Sequence, residues 1–116
     1  MVPQQKLKTY AEQLTGSLSQ IGDAFTRERR VSVVNIHVAD TSGSTNAVDI
    51  VYNDGSTDFY IAKAKAVSAN DYITINVGGD RFLATEDGYS IKARYVTGTA
   101  DIFLTVLESE GRPQAK

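Results

Sequence analysis

Tyr89-Ser90-Ile91-Lys92-Ala93-Arg94-Tyr95-Val96-Thr97-Gly98-Thr99-Ala100-Asp101-Ile102-Phe103-Leu104-Thr105-Val106-Leu107 decides the fold class. Two runs in it alternate apolar and polar residues around a turn at Gly98-Thr99-Ala100. Successive side chains of a strand point to opposite faces. The alternation therefore sends Ile91 and Ala93 to one side of their strand, and Ile102, Leu104 and Val106 to one side of theirs. Phe103 is sent to the other side. One-sided alternation belongs to antiparallel sheets with one face in a core and one in solvent.

Working back toward the N-terminus, the same grammar recurs. Tyr72-Ile73-Thr74-Ile75-Asn76-Val77 aims Ile73, Ile75 and Val77 one way and Tyr72, Thr74 and Asn76 the other. Ala69-Asn70-Asp71 reads as the turn before it, and Gly78-Gly79-Asp80 as a break after it. Arg81–Ala84 is then a short run, closed by a turn at Glu86-Asp87-Gly88. Asn53-Asp54-Gly55-Ser56 is the strongest turn signal, because Asp-Gly accepts positive φ at low cost. It joins Val48–Tyr52 to a return strand over Asp58–Lys63. Val31–Val38 is rich in β-branched residues, which favour the pleated backbone, and Asp40–Asn46 ends it with turn formers. His37 lies in phase with Val31, Val33 and Asn35.

The first quarter is less decisive. Leu7, Tyr10, Ala11, Leu14, Leu18 and Ile21 recur at helical spacing. Thr9, Thr15, Gly16, Ser17, Ser19 and Gly22 are poor helix residues. Two extended segments, near Lys8–Leu14 and Gln20–Thr26, are preferred over a helix. Short strands at this spacing predict one all-β domain over 1–116, an antiparallel β-sandwich or jelly-roll-like barrel of about seven to nine strands. Residues 1–6 and the polar stretch 109–116 are expected to be terminal arms.

Composition narrows function by exclusion. In 116 residues there is no Cys, which removes disulfides, zinc–thiolate sites and a cysteine nucleophile. A single His, His37, removes any multi-histidine metal site. A net charge of −2 gives no electrostatic case for nucleic acid or an anionic membrane. No apolar run approaches the ~20 residues of a spanning helix, and Met1–Lys6 has no apolar signal-peptide core.

The remaining chemistry is sparse. His37 has no nucleophile-elbow motif beside it and reads as a structural histidine. Gly78-Gly79-Asp80 lacks the spacing of a phosphate loop. Asp54, Asp58, Asp80, Glu86 and Asp87 would bind a hard cation only if their loops converged; the plain reading is solvated turns. No catalytic residue, cofactor site or metal site is expected. The candidate partner-binding residues are the basic Arg27, Arg29 and Arg30 and the aromatics Phe59, Tyr72 and Phe103. Phe59 and Tyr60 are consecutive, so at most one faces a core.

The run Arg30–Ser44 resembles a stretch common in small virion proteins of tailed bacteriophages: a strand of the type V-x-x-I-x-V-A-N, a Thr/Ser/Gly turn, and a strand of the type V-x-I-Y. Phe59–Lys63 resembles that family's second hairpin arm, and Ser68–Tyr72 its I-x-A-N-x-T turn and strand. Leu83–Ala93 resembles its L-x-x-G-D-x-L-x-V-x-A segment, and Gly98–Glu108 its closing G-x-V-x-V-x-V-x-x-x-E strand. The likeness covers about Asp23–Glu108. It departs at Ala24–Arg30, where the family often carries Y-T-V-P-x-G-K. The resemblance implies a non-enzymatic β-sandwich of the virion. A capsid decoration (cement) protein is favoured: a homo-oligomer, most simply a trimer, on the major capsid protein at the head surface and assembled in the host cytoplasm. A neck, tail or fibre accessory role is the alternative. A carbohydrate-binding β-sandwich, using aromatic stacking and loop carboxylates, is a reading from another class.

Overall fold

The computed structural model describes residues 5–22, 29–84 and 88–110. It contains β1 (Gln5–Leu14), β2 (Ser19–Ile21), β3 (Arg29–Asp40), β4 (Asn46–Asn53), β5 (Asp58–Val67), β6 (Tyr72–Ala84), β7 (Ser90–Tyr95) and β8 (Ala100–Glu110). One sheet has the order β1-β8-β3-β6 and the other β2-β7-β4-β5, with every described pairing antiparallel. The all-β sandwich expected from the alternation is the observed fold.

The pairing follows a simple rule. β4 pairs with β5, β3 with β6, β2 with β7 and β1 with β8. The chain is thus one long antiparallel ribbon, doubled back at Asn53–Asp58 and then rolled so that β8 meets β3 and β7 meets β4. That winding is a jelly roll. The tip of the ribbon is the Asp-Gly turn: Gly55 takes φ of 102°, and Asp54 Oδ1 accepts the Ser56 and Thr57 N–H bonds at 3.1 and 2.8 Å.

The N-terminal quarter is extended, as preferred. β1 pairs along its whole length with β8, and Leu14 and Ile21 reach the core. β2 is only Ser19–Ile21, and residues 23–28 lie outside the described residues. Gln5-Lys6 and Ser109-Glu110, expected in terminal arms, are strand residues: Gln5 pairs with Ser109, and Arg29 with Glu110. The backbone ladder extends past the last apolar side chain, so polarity alone misplaced these boundaries.

Two further readings are corrected. Gly78-Gly79-Asp80 does not end a strand; β6 runs through it to Ala84. In the ladder with β3, Asn35 opposes Asn76 and Val33 opposes Arg81, so the glycines fall in a bulge. His37 is not in phase with Val31 and Val33. A register shift between Val33 and Asn35, in the ladders with both neighbours, flips the alternation. Val31 and Val33 before it, and Ile36 and Val38 after it, all face the core, while Asn35 and His37 face out.

Ile91, Ala93, Ile102, Leu104 and Val106 are fully buried between the sheets, as expected. At one end of the sandwich the core closes on a buried carboxylate. Asp40 accepts hydrogen bonds from the Asn70 and Gly43 N–H groups at 2.9 Å, from the Ser42 hydroxyl at 2.7 Å and from the Tyr95 hydroxyl at 2.8 Å. The Asn70 amide is the largest influence holding its carboxyl far below the usual range; the other three add to it against the cost of burial. Burial first, then the bond to Asp40, pushes the Tyr95 phenol up to about 12. One side chain thus joins the β3–β4 loop, the β5–β6 turn and β7. Gly98, in the crossover from β7 to β8, takes φ of 86°, and a Cβ there would lie 2.9 Å from the Ser42 side chain.

Candidate interaction face

Register alone determines what meets on the outer face of β1-β8-β3-β6. Phe103 of β8 lies between Ala11 of β1 and His37 of β3, and His37 lies opposite Thr74 of β6. One row toward the Asp40 end runs Gln13, Asp101, Ala39, Tyr72; one row the other way runs Thr9, Thr105, Asn35, Asn76. Leu7 and Leu107 begin the next row.

His37 is the centre. Its Nδ1 is 2.9 Å from Thr74 Oγ1. Its ring stacks on Tyr72, with centroids 4.9 Å apart and planes 28° apart, and is tilted against Phe103 at 5.8 Å. The histidine read as structural does hold its neighbours, and it does so at the surface. Tyr72 is 60% exposed, Phe103 37% and Leu7 66%. Thr9 and Thr105 join hydroxyls at 3.0 Å. Beside Phe103 the surface dips shallowly, lined by Ala11, Glu12, Gln13 and Asp101.

Charge is sparse here. In the three rows from Thr9–Asn76 to Gln13–Tyr72, Asp101 carries the one formal charge. The charged residues of β1 — Lys6, Lys8 and Glu12 — all fall on the opposite phase, where Lys8 Nζ lies 4.9 Å from the Tyr10 ring. Depletion of charge with enrichment of aromatics marks the core of a protein–protein contact.

The other sheet's outer face is built differently. Asp49, paired in register with Arg94, accepts the Arg94 Nε bond at 2.8 Å and the Ala64 N–H bond at 2.7 Å. Burial pushes its carboxyl up, but the Ala64 amide and the Arg94 guanidinium outweigh that, leaving it below the ordinary range. Lys92 lies on the same face, and Lys63 Nζ lies over the Tyr60 ring at 5.1 Å.

Of the sequence candidates, Tyr72 and Phe103 come together around His37. Phe59 is 53% exposed on β5 of the other sheet, apart from them. Tyr60 is equally exposed, so neither of that consecutive pair enters the core. Arg29 and Arg30 open β3, opposite Glu110 and Ser109, and Arg27 lies outside the described residues. Asp54 and Asp58 are occupied within their own turn, Asp58 Oδ1 accepting from Asn53 Nδ2 at 2.6 Å. Asp80, Glu86 and Asp87 have side chains outside the described residues. Among the described residues no three His, Asp or Glu side chains converge as metal ligands. Leu7 and His37 were missed as members of the face. The signal for Leu7 is the uncharged phase Leu7, Thr9, Ala11, Gln13, visible only once the segment is taken as a strand.

No protein-family model and no curated protein matches this sequence. Solved structures match it in shape. A protein of Bacillus endospore appendages, described as a novel family of disulfide-linked pili, aligns over 95% of this chain and 89% of its own, with a TM-score of 0.55 and 11% identity. The Tobacco streak virus coat protein dimer aligns over 97% of this chain and 90% of its own, with a TM-score of 0.46 and 14% identity. At 11% identity, what the appendage protein shares with this chain is the fold, which by itself names no activity.

Proposed function

We propose that the protein is a non-enzymatic structural component of a tailed-phage particle, a decoration protein bound to the outer shell through the outer face of β1-β8-β3-β6. The observation that carries this reading is the charge-poor, aromatic face around His37, where Asp101 is the one charge in the central rows. A soluble sheet normally dresses its outer face in charge, and this molecule does so on its other sheet. The sequence resemblance over Asp23–Glu108 supports the virion, and the jelly roll shared with an assembling appendage protein is consistent with it. The disulfide linkage of those pili does not transfer, because this chain has no Cys. Its contacts are non-covalent, and many weak copies on one shell add up by avidity.

The test is a binding titration of the intact protein, and of a Tyr72→Ala/Phe103→Ala variant, against undecorated shells. The intact protein is expected to saturate the shell, and the variant to lose occupancy while keeping its circular dichroism spectrum. Equal occupancy by the variant would remove this face from the contact. Labelling confined to the portal vertex or tail would replace the shell with the neck or tail as the location.

A further inference from the structure

Among the described residues the two sheets end in four edge strands, β1, β6, β2 and β5. An edge strand exposes unpaired N–H and C=O groups and is a template for another chain unless it is blunted. Three edges are blunted. β1 carries Lys6, Lys8 and Glu12. β2 is three residues long. β5 carries Lys63 and Lys65 and is kinked at Ala64, whose φ is 52°. β6 bulges at Gly78-Gly79, but the stretch before the bulge, Tyr72-Ile73-Thr74-Ile75-Asn76-Val77, has no charge, no Pro and no Gly.

The direction of its free groups follows from the ladder. Asp40 N–H donates to Asp71 C=O at 2.9 Å, which fixes the phase of the β3–β6 pairing. Hydrogen-bonded and non-bonded pairs alternate in an antiparallel ladder, so Ile73 and Ile75 bond toward β3 while Thr74 and Asn76 point their backbone groups outward. The Tyr72 N–H is already taken by Asp71 Oδ1 at 2.8 Å. The core-facing Ile73, Ile75 and Val77 are only half-buried where the sheet ends.

We propose that this edge binds a second copy of the same chain, β6 against β6 across a two-fold axis at Thr74. The pattern is self-complementary in that register. Thr74 faces Thr74 and exchanges both backbone bonds. Each Asn76 N–H donates to the Tyr72 carbonyl of the other copy. Ile73 faces Ile75 on the core side, so each copy covers the other's half-exposed apolar residues. Cross-strand Thr–Thr and β-branched pairs of this kind are favourable, and there is no charge to repel. The pairing makes one eight-stranded sheet and sets two His37–Tyr72–Phe103 clusters on a continuous face. It stands independently of any particle, because the protein alone tests it.

The experiment is sedimentation of the full-length protein through a dilution series, with Thr74→Lys, Thr74→Glu and their equimolar mixture. The wild type is expected to be a dimer. Each charged variant is expected to be a monomer that keeps the β-sheet circular dichroism spectrum and whose melting temperature no longer depends on concentration, because like charges meet on the axis. The mixture is expected to recover the dimer, because Lys then meets Glu. Hydrogen exchange should show the Thr74 and Asn76 amides slowed at least ~10-fold in the dimer relative to the charged monomers. A monomeric or trimeric wild type would overturn the proposal. So would a dimer that survives Thr74→Lys, a mixture that stays monomeric, or a dimer whose Thr74 and Asn76 amides exchange as in the monomer.

Discussion

The two outer faces of this sandwich solve different problems. On β2-β7-β4-β5, Asp49 and Arg94 lie side by side in register, and the carboxylate also secures the kinked backbone at Ala64. Its charges are used within the molecule. On β1-β8-β3-β6, His37 packs against both Phe103 and Tyr72, and those two aromatics are exposed to solvent. The difference teaches which outward residues are tied into the fold and which leave their surfaces open.

The sharpest way to break that distinction uses Leu104, on the inner side of β8. Leu104→Ala removes a fully buried side chain and is expected to cost about 2–5 kcal/mol, a transfer loss plus a cavity. A denaturant titration showing less than about 1 kcal/mol would mean the site collapses freely, and the inside of β8 would differ little from its outside.

Next in size is Asp49→Ala, which leaves the Ala64 N–H and the Arg94 guanidinium without their acceptor. It is expected to cost about 1–3 kcal/mol, the range for bonds to a charged group with a partner stranded. If instead the melting curve is unmoved, the second face is as dispensable to the fold as the first.

Acid sharpens the same point. The Asp40 and Asp49 carboxyls both sit below their ordinary value of 3.8 in the folded state. A depressed carboxyl contributes stability that is complete above its unfolded value and is lost as pH falls through its folded value. Stability is therefore expected to be flat between roughly pH 5 and 7 and to fall below about pH 4. In Asp49→Ala the fall should be shallower. An acid slope identical to wild type would remove Asp49 from the linkage.

The smallest effect is on the aromatic face. Tyr72→Ala is expected to change stability by under about 1 kcal/mol, the worth of one exposed cross-strand contact. A larger loss would make Tyr72 part of the fold and weaken its assignment to a contact.

Much of the fold is legible in residue order, for a physical reason. Where a strand has one wet side and one dry side, as at Ser90–Tyr95 and Asp101–Leu107, burial writes itself as alternation. The rule fails where the backbone changes phase. The bulge between Val33 and Asn35 lets both Val31/Val33 and Ile36/Val38 face inward, and nothing in Val-Val-Asn-Ile announces it. Gly78-Gly79 offers the conformational freedom of a turn but is spent on a bulge. β1 was obscured because its charges lie on its inward phase, along an edge the core barely covers. Tyr72 and Phe103 stood out singly as outward aromatics. Their meeting at His37 depends on the pairing of three strands far apart in sequence, which local pattern does not encode.

One feature of the winding bears on force. The first and last strands are partners, with Gln5 opposite Ser109 and Leu14 opposite Ala100. Tension applied between Gln5 and Ser109 would therefore load the β1–β8 ladder one pair at a time, as a zipper opens, and each pair would yield before the next is stressed. A grip on the flat of the sheet bypasses that sequence, since every strand beneath it then shares the pull. Where a neighbour takes hold thus decides whether this small sandwich peels or bears load.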